Sequence, residues 1–475
     1  MAGVAAPPPS LLHFGPRPLS WARERFGVDS ITERAAPVVR VRCRGPLWTE
    51  ADLSVLRRFS GIEMDVPAGR VQDVALAPGA QAEVLLEDME GRPQVLARGA
   101  EVWCVLDLPE ALARLLAEAY LPPVKHGLGG WIATSSPLQQ AYYRAPRALR
   151  KWLQRRVLDG LQGQLDRRPA GAFCTRFPVD TTGWALVRGT LGALRLAGAQ
   201  VEEQPAWPGG SRACVVVTHD VEPTPYSYRH GLPRLLERLE AWGHPPHTID
   251  PVAAPAARYA HLWQRADVLR HEIVCHGWRH DGRKTRLSPA GIRARLQLAR
   301  TTLESLTGRA VTSFRSPRLD RSPALFEALE ATGFRVDSTM PDVDRENTDH
   351  YGGGCSFNFP FHPLVPVGSG WRALSLLEMP VTAPDCAMPV FAGASEDEAI
   401  ALYARKLDWV EAIGGCYVAI FHPGVFDDED AQLRERLLTG FVRLLEGRPV
   451  WRCSLRDLEQ WWRAREDLTT AASGS

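Results

Sequence analysis

Several features that would direct a first interpretation are missing from this chain of 475 residues. Its nine cysteines are odd in number, widely spread and never arranged as CxxC, which argues against a disulfide framework or a zinc finger. No stretch is apolar over the length of a transmembrane helix, and the N-terminal residues lack the basic and unbroken apolar parts of a secretory signal. We therefore expect reduced, mostly buried cysteines, no transmembrane segment and a cytoplasmic location.

An excess of charge of either sign is also missing. Lys and Arg total 56 and Asp and Glu total 55, so the formal net charge is +1. This balance gives no overall attraction to nucleic acid or to an anionic membrane, and we expect no nucleic-acid partner. The sequence does not indicate an oligomeric state.

What is present is the composition of a globular protein, with 45% hydrophobic and 23% charged residues in a chain longer than one ordinary domain. Changes in composition and pattern divide the chain into several predicted parts. They are an N-terminal arm at 1–36, a small α/β domain at 37–122, a helical connector at 123–210, a β/α domain at 211–465 and a tail at 466–475.

The small α/β domain alternates strand-like and helix-like stretches. The predicted strands are Val38–Arg42, Ala82–Leu86, Val95–Ala97 and Val102–Leu106, and the predicted helices are Asp52–Phe59 and Glu110–Ala119. Residues 80–108 resemble the late strands of a glutamine-amidotransferase-like domain, but no matching cysteine nucleophile elbow or catalytic histidine accompanies them. We interpret this part as a structural or binding module.

The connector is predicted to hold an Arg-rich helix around Ala148–Leu165 and a second helix around Trp184–Leu196. After Gly210 the pattern changes to strands alternating with helices. The runs Ala213–Thr218, Ile273–Cys275 and Cys416–Phe421 are apolar enough for strands buried on both faces of a sheet. Such alternation is typical of a parallel β/α barrel or a doubly wound sheet.

The helices of this part have marked ends. Capping signals stand at Ser288-Pro289, at Ser322-Pro323 and at Ser395 with Glu398, and the glycines that end two helices are Gly308 and Gly333.

Active sites of β/α barrels are assembled at the carboxyl ends of the strands, so polar residues there are the candidates for chemistry. The first strand runs into Asp220-Val221-Glu222, where alternation lets both carboxylates point to one side while His219 points away. Two neighbouring carboxylates are costly without a cation, and this favours a metal site.

The next strand ends in His276-Gly277-Trp278-Arg279-His280. This spacing places two imidazoles on one side if the loop turns helically. Two histidines and one carboxylate leave coordination positions open, as a catalytic metal requires.

Three further strand ends carry Arg315, Asp337 and His422. A guanidinium can hold a catalytic aspartate by paired hydrogen bonds. An aspartate near a histidine can orient it, and histidine is the commonest proton shuttle near neutral pH.

The ordered set THDVE, HGWRH, FRSP, FRVDS and IFHP resembles the five motifs of the polysaccharide-deacetylase family, carbohydrate esterase family four, over Ser211–Trp461. The resemblance implies a deformed barrel and hydrolysis of an amide at a divalent metal, most simply zinc, with cobalt, nickel or iron as alternatives. By this resemblance the metal ligands are Glu222, His276 and His280. The other implied roles are Asp220 as general base, Arg315 as its aligning residue, Asp337 as part of the supporting network and His422 as general acid.

One motif departs from the common pattern of the family. Many members have two adjacent aspartates where this chain has Asp-Val-Glu. The chain resembles the branch of the family in which the metal carboxylate lies two residues after the base, which implies that Glu222 takes the role usually given to an aspartate. The resulting hypothesis is a deacetylase that removes an N-acyl, most simply N-acetyl, group from a sugar or glycan intermediate. The alternatives are a deformylase or other non-peptide amidohydrolase and, in a different class, a catalytically silent glycan-binding or regulatory protein.

Overall fold

The fold is described from a computed structural model that covers residues 2–5, 11–36, 38–118, 175–265, 267–281, 287–343, 354–368, 370–385 and 395–473. The predicted Arg-rich helix around Ala148–Leu165 lies outside these residues. Within them, no helix is both long enough and apolar enough to cross a membrane. The cytoplasmic location stays a prediction.

Both strands and helices occur throughout the described residues. The strands are β1 (Ala2–Ala5), β2 (Leu12–Phe14), β3 (Val28–Ala35), β4 (Val38–Arg42), β5 (Glu63–Pro67), β6 (Arg70–Leu76), β7 (Glu83–Glu87), β8 (Pro93–Arg98), β9 (Glu101–Cys104), β10 (Gln200–Glu203), β11 (Ala213–Val221), β12 (His247–Pro251), β13 (Glu272–Ile273), β14 (Ser313–Phe314), β15 (Val336–Asp337), β16 (Leu364–Val367), β17 (Gly370–Ala373), β18 (Leu377–Glu378), β19 (Val381–Pro384), β20 (Cys416–Phe421) and β21 (Val450–Cys453). The helices are α1 (Leu19–Phe26), α2 (Glu50–Phe59), α3 (Leu108–Glu118), α4 (Thr182–Leu196), α5 (Leu232–Ala241), α6 (Ala253–Ala256), α7 (Pro289–Thr307), α8 (Pro323–Ala331), α9 (Glu396–Ile413), α10 (Asp428–Leu444) and α11 (Leu455–Ser473).

The N-terminal part is an α/β structure, and the elements predicted within it are confirmed to within a few residues. Strands β2, β9, β8 and β7 form a four-stranded sheet in that order, and β3 pairs with β6 and β4 with β5. The segment predicted as an arm contributes β2, α1 and β3. Its Phe26 is buried against Trp103 of β9, and the removal of this apolar ring from water stabilises the packing of α1 on the sheet.

The C-terminal part is built on parallel strands. Strands β13, β12, β11, β20 and β19 form one sheet in that order, with β21 also paired to β11, and β14, β15 and β18 form a second sheet. Single parallel bridges link Cys275 to Phe314 and Pro341 to Val381, and each joins one sheet to the other. The predicted α/β class is confirmed, whereas closure into a barrel stays a prediction.

The helix ends follow the predicted signals. Ser288 and Ser322 accept hydrogen bonds from the backbone N–H groups of Gly291 and Leu325. Ser395 and Glu398 form the reciprocal capping box at the start of α9. Since these caps satisfy N–H groups that have no partner within the helix, they fix where each helix begins.

Alternation along β11 explains why polar residues collect at one end of the sheet. All nine of its residues are buried. Cys214 and Val216 lie in an apolar cluster with Val274, Val336 and Trp462, the last contributed by α11. Thr218 and Asp220 continue the same face toward the carboxyl end of the strand. Apolar residues thus occupy this face at the start of the strand, and polar residues occupy it at the carboxyl end.

The largest apolar cluster contains residues from both the N-terminal and the C-terminal part. Phe59 of α2 packs edge-on against Trp409 of α9, with ring centroids 5.2 Å apart, and Trp409 also meets Trp184 of α4. Trp48 is buried and donates a hydrogen bond to the carbonyl of Ala185. The predicted domain boundaries stay predictions.

The cysteines within the described residues are buried, as expected; they are Cys43, Cys104, Cys214, Cys275, Cys355, Cys416 and Cys453.

Candidate active site

Three predicted ligands converge where β11 and the loop after β13 end. Glu222, His276 and His280 each offer one donor atom, and these atoms all lie within 4.8 Å of one another. The Glu222 Oε1 atom is 3.3 Å from His280 Nε2. Among the described residues, this is the one group of three or more histidine, cysteine or acidic side chains gathered closely enough to hold an ion.

The loop that carries the two histidines is not helical. The two imidazoles are therefore not brought together by the helical turn on which the sequence prediction depended. Gly277 has a positive φ of 75°, which turns the chain between the two imidazoles. The carbonyls of Gly277 and Trp278 accept hydrogen bonds from the backbone of Ala253 and Ala254 at the start of α6. The loop is therefore braced from the neighbouring strand end.

Hydrogen bonding and charge prepare this group for a cation. His276 Nδ1 donates to the carbonyl of Arg315 at 3.2 Å, which orients the ring so that Nε2 faces the site. Burial would raise the pKa of the Glu222 carboxyl, but His280 and His422 outweigh it and lower that pKa well below its ordinary value. An ionised carboxylate and two imidazoles are a donor set that fits a divalent transition metal.

Asp220 lies beside this group and is held by Arg315. The Arg315 side chain is fully buried, and its NH1 group lies 3.2 Å from Asp220 Oδ1 and also donates to Thr218. Its Nε and NH2 groups donate to the carbonyl and hydroxyl of Ser338 at 2.8 and 2.9 Å. Asp220 Oδ2 is 3.7 Å from His276 Nε2. The structure thus places Asp220 between the guanidinium and the proposed ligands.

A second carboxylate in this region was not predicted. Asp250 lies directly opposite Asp220 in the register of β11 and β12, and its Oδ2 is 3.8 Å from Arg315 NH1. Thr248 donates to its other oxygen at 2.7 Å. Burial raises the pKa of Asp250 well above its ordinary value, Arg315 opposes this rise and Asp220 adds to it. One guanidinium therefore faces two carboxylates.

Beside the three ligands, His422 is held by Asp385. The Asp385 Oδ1 atom accepts from His422 Nδ1 at 2.6 Å, and Oδ2 accepts from the His422 backbone N–H at 2.8 Å. His422 Nε2 points toward Glu222, with Oε1 at 3.6 Å. Burial lowers the pKa of His422, but Asp385 and Glu222 raise it to about 10.

Asp385 is itself paired with a buried arginine. Arg434 of α10 donates through NH1 to both Asp385 oxygens at 2.9 Å. Burial would raise the pKa of Asp385, but Arg434 and His422 lower it to about 2. The sequence did not predict a role for Asp385 or Arg434, although Asp385 follows the carboxyl end of β19.

Asp337 lies in a different cluster. Ser338 faces Arg315, so alternation turns its neighbour Asp337 to the other side of the strand. There Asp337 accepts a hydrogen bond from Thr339, and it stands opposite Glu378 in the register of β15 and β18. Burial raises the pKa of Glu378 well above its ordinary value, and Asp337 raises it further. The carboxylate that His422 contacts through Nδ1 is Asp385, and a supporting role for Asp337 stays a prediction.

Comparison with known proteins supports the motif resemblance for the central part of the chain. The family model described as polysaccharide deacetylase matches residues 209–336. This range contains Asp220, the three proposed ligands and Arg315, whereas Asp385 and His422 lie beyond it. The resemblance to a polysaccharide deacetylase domain is confirmed, and the Asp-Val-Glu variation stays a prediction. No protein in a search of curated proteins matches the sequence.

Solved structures resemble parts of the chain at low sequence identity. A protein from Mycobacterium smegmatis described as a polysaccharide deacetylase is 22% identical, with a TM-score of 0.44 over 55% of this chain and 93% of that one. PuuE allantoinase is 17% identical, with a TM-score of 0.44 over 61% and 98%. A family 4 carbohydrate esterase from Streptomyces lividans, solved with acetate, is 16% identical, with a TM-score of 0.33 over 51% and 92%.

Proposed function

We propose, on the premise that residues 209–336 belong to a polysaccharide deacetylase domain, that the protein is a metal-dependent hydrolase that removes an N-acetyl group from a sugar or glycan. The observation that carries the proposal is the gathering of Glu222, His276 and His280, with Asp220 on one side and His422 on the other. A carboxylate and an imidazole on opposite sides of a metal site can take up and release a proton in one turnover.

Glu222, His276 and His280 would hold the metal, and zinc suits two imidazoles and a carboxylate. When bound, the ion supplies Lewis acidity toward the substrate carbonyl and lowers the pKa of a bound water. His276 has its Nδ1 proton committed to the Arg315 carbonyl, so its Nε2 is the atom that faces the ion. Cobalt, nickel and iron fit the same donors.

Asp220 acts as general base in this proposal. It takes the proton from the water whose oxygen forms the new bond to the acyl carbon. Arg315 holds the carboxylate through Oδ1, which leaves Oδ2 on the side of His276 and the attacking water. Since Arg315 is fixed by Thr218 and Ser338, the base keeps one position.

His422 acts as general acid. As the C–N bond breaks, the departing nitrogen takes the proton on Nε2, and the products are acetate and the free amine of the sugar. The raised pKa of His422, about 10, keeps this proton in place at neutral pH. Asp385 stabilises the imidazolium on the far side of the ring.

The deformed barrel belongs to the same proposal. Two bridges between the parallel sheets, Cys275 with Phe314 and Pro341 with Val381, support a ring of strands around the site. Such a ring, within residues 211–465, would direct the carboxyl ends of its strands toward one mouth.

The test is release of acetate from oligomers of N-acetylglucosamine by protein loaded with zinc. The proposal expects acetate release by the wild type and none by His276→Ala. It also expects elemental analysis to show about one metal ion per wild-type chain and a large loss in His276→Ala. If the protein cleaves other amides but no sugar amide, the result would favour the wider amidohydrolase class. Metal binding with no cleavage of any amide would favour a silent binding protein.

A further inference from the structure

We propose that Arg434 is a positioning residue that holds the general acid in its working orientation, acting through Asp385 and Asp430. This inference rests on the proposed function, in which His422 protonates the leaving nitrogen. Arg434 lies on α10, outside the five motifs, and it does not stand at a strand end.

The Arg434 side chain is placed for this role by its burial and its hydrogen bonds. It is 4% exposed, and it meets Asp385, which is fully buried. NH1 donates to both oxygens of Asp385 at 2.9 Å, and Nε donates to Asp430 Oδ1 at 3.0 Å. One guanidinium therefore links two carboxylates that reach the His422 region by different routes.

The first route is the histidine side chain itself. Asp385 accepts from both the Nδ1 atom and the backbone N–H of His422. A carboxylate that receives these two bonds fixes both the ring and its backbone, provided that the carboxylate cannot rotate. Arg434 prevents that rotation by bonding to both oxygens from the other side.

The second route is the loop that follows His422. Asp430 Oδ2 accepts from the backbone N–H of Val425 at 2.7 Å. Ser227 and Thr224 hold the same loop by donating to the carbonyls of Gly424 and Val425. Arg434 thus fixes the backbone just after His422 as well as its side-chain partner.

A lysine cannot reproduce this geometry. Its ammonium group is a single point, whereas the guanidinium presents Nε and NH1 in a rigid plane toward two different carboxylates. Lysine at this position would still offset the charge of Asp385 but would lose one of the two links. If Arg434 acts by positioning, its replacement by lysine should therefore have a smaller effect than its replacement by an uncharged side chain.

The experiment compares two leaving groups in the full-length, metal-loaded protein. An amide needs a proton on its departing nitrogen, whereas an activated aryl acetate releases an aryloxide that needs none. Arg434→Met is expected to lower kcat for the N-acetylated sugar about 10- to 100-fold, as loss of a partner that orients a functional histidine does, with KM nearly unchanged. The kcat for the aryl acetate is expected to stay near the wild-type value, and Arg434→Lys is expected to fall between.

The matched control is Arg436→Met. Arg436 lies on the same helix, is 54% exposed in its side chain and pairs with Glu396 on the surface. Its replacement should leave both kcat values unchanged. Equal loss of amide and ester turnover in Arg434→Met would mean a general structural effect and would overturn the proposal. If Arg434→Met does not fold, the same comparison in Arg434→Lys decides it.

A readout without substrate separates this inference from the proposed function. The proton NMR signal of His422 Nδ1–H, bonded to Asp385, is expected in the wild type and in Arg436→Met, and to be shifted or lost in Arg434→Met. A signal unchanged in Arg434→Met would overturn the positioning role even in an active enzyme. A wild type that cleaves neither amide nor ester would overturn the proposed function, while the NMR comparison would still test the contact.

Discussion

Both sides of the candidate site contain a buried arginine paired with an aspartate, but the aspartate has a different proposed role on each side. On one side, Arg315 contacts Asp220, the carboxylate proposed to react. On the other, Arg434 contacts Asp385, which holds the imidazole of His422 that is proposed to react. A buried arginine thus contacts the proposed base directly and the proposed acid through an intermediate carboxylate.

The two sides also differ in their balance of charge. Arg315 faces Asp220 and Asp250, and burial raises the pKa of Asp250 well above its ordinary value. Asp385 faces Arg434 and His422, and despite burial these two cations lower its pKa to about 2. On the first side one cation therefore faces two carboxylates, whereas on the second side Asp385 lies between two cations, and each arrangement shifts the pKa of the carboxyl in the direction that its neighbours favour.

The largest effect is expected from Asp220→Asn. An amide cannot take up the proton of the attacking water, so kcat should fall about 100- to 10,000-fold, the usual contribution of a general base. Metal content, measured by elemental analysis, should stay at the wild-type level because Asp220 is not a proposed ligand. Wild-type turnover in this variant would show that Asp220 is not the general base, and the two sides of the site would then have no separate base and acid roles.

A smaller effect is expected from Asp385→Asn. In this variant His422 is unchanged but loses the anion that stabilises its imidazolium, so kcat for an amide substrate should fall roughly 10- to 100-fold. Activity on an activated aryl acetate should change little, in contrast to Asp220→Asn, which should lose both. Equal sensitivity of the two substrates would contradict an acid that acts on the leaving group.

The smallest effect is expected from Asp250→Asn, measured as stability against pH. A carboxyl whose pKa is raised in the folded state favours folding below its unfolded value, near 3.8, and loses that contribution as pH rises through the folded value. The free energy of unfolding of the wild type should therefore fall on going to neutral pH relative to that of Asp250→Asn. Denaturant titrations at pH 5 and pH 7.5 compare the two, and parallel pH profiles would show that Arg315 neutralises both carboxylates.

The convergence of the proposed ligands was predictable because it follows from one rule, that polar residues at parallel strand ends meet. Asp220 lies at the end of the long, largely apolar β11, Glu222 follows that strand, and His276 follows the apolar run at Ile273–Cys275. Asp250 was missed because β12 is short and mixes polar with apolar residues, so no apolar run marks it.

The acid side was less predictable for a different reason. Asp385 and His422 are 37 residues apart, and Arg434 is 49 residues beyond Asp385. No local pattern records which residues meet across such separations, so the motif containing Asp337 was given the supporting role. The non-helical loop after His276 was missed because a four-residue spacing does not distinguish a helix from a turn at Gly277.

The aromatic contact between Phe59 and Trp409 joins regions that the sequence suggested as separate units. Together with Trp48 and Trp184, these rings form a continuous apolar seam between the N-terminal sheet and helix α9. Removing the first 118 residues would expose that seam to water, at about 25 cal/mol for each Å² of apolar surface uncovered. The two parts should consequently melt in one cooperative transition.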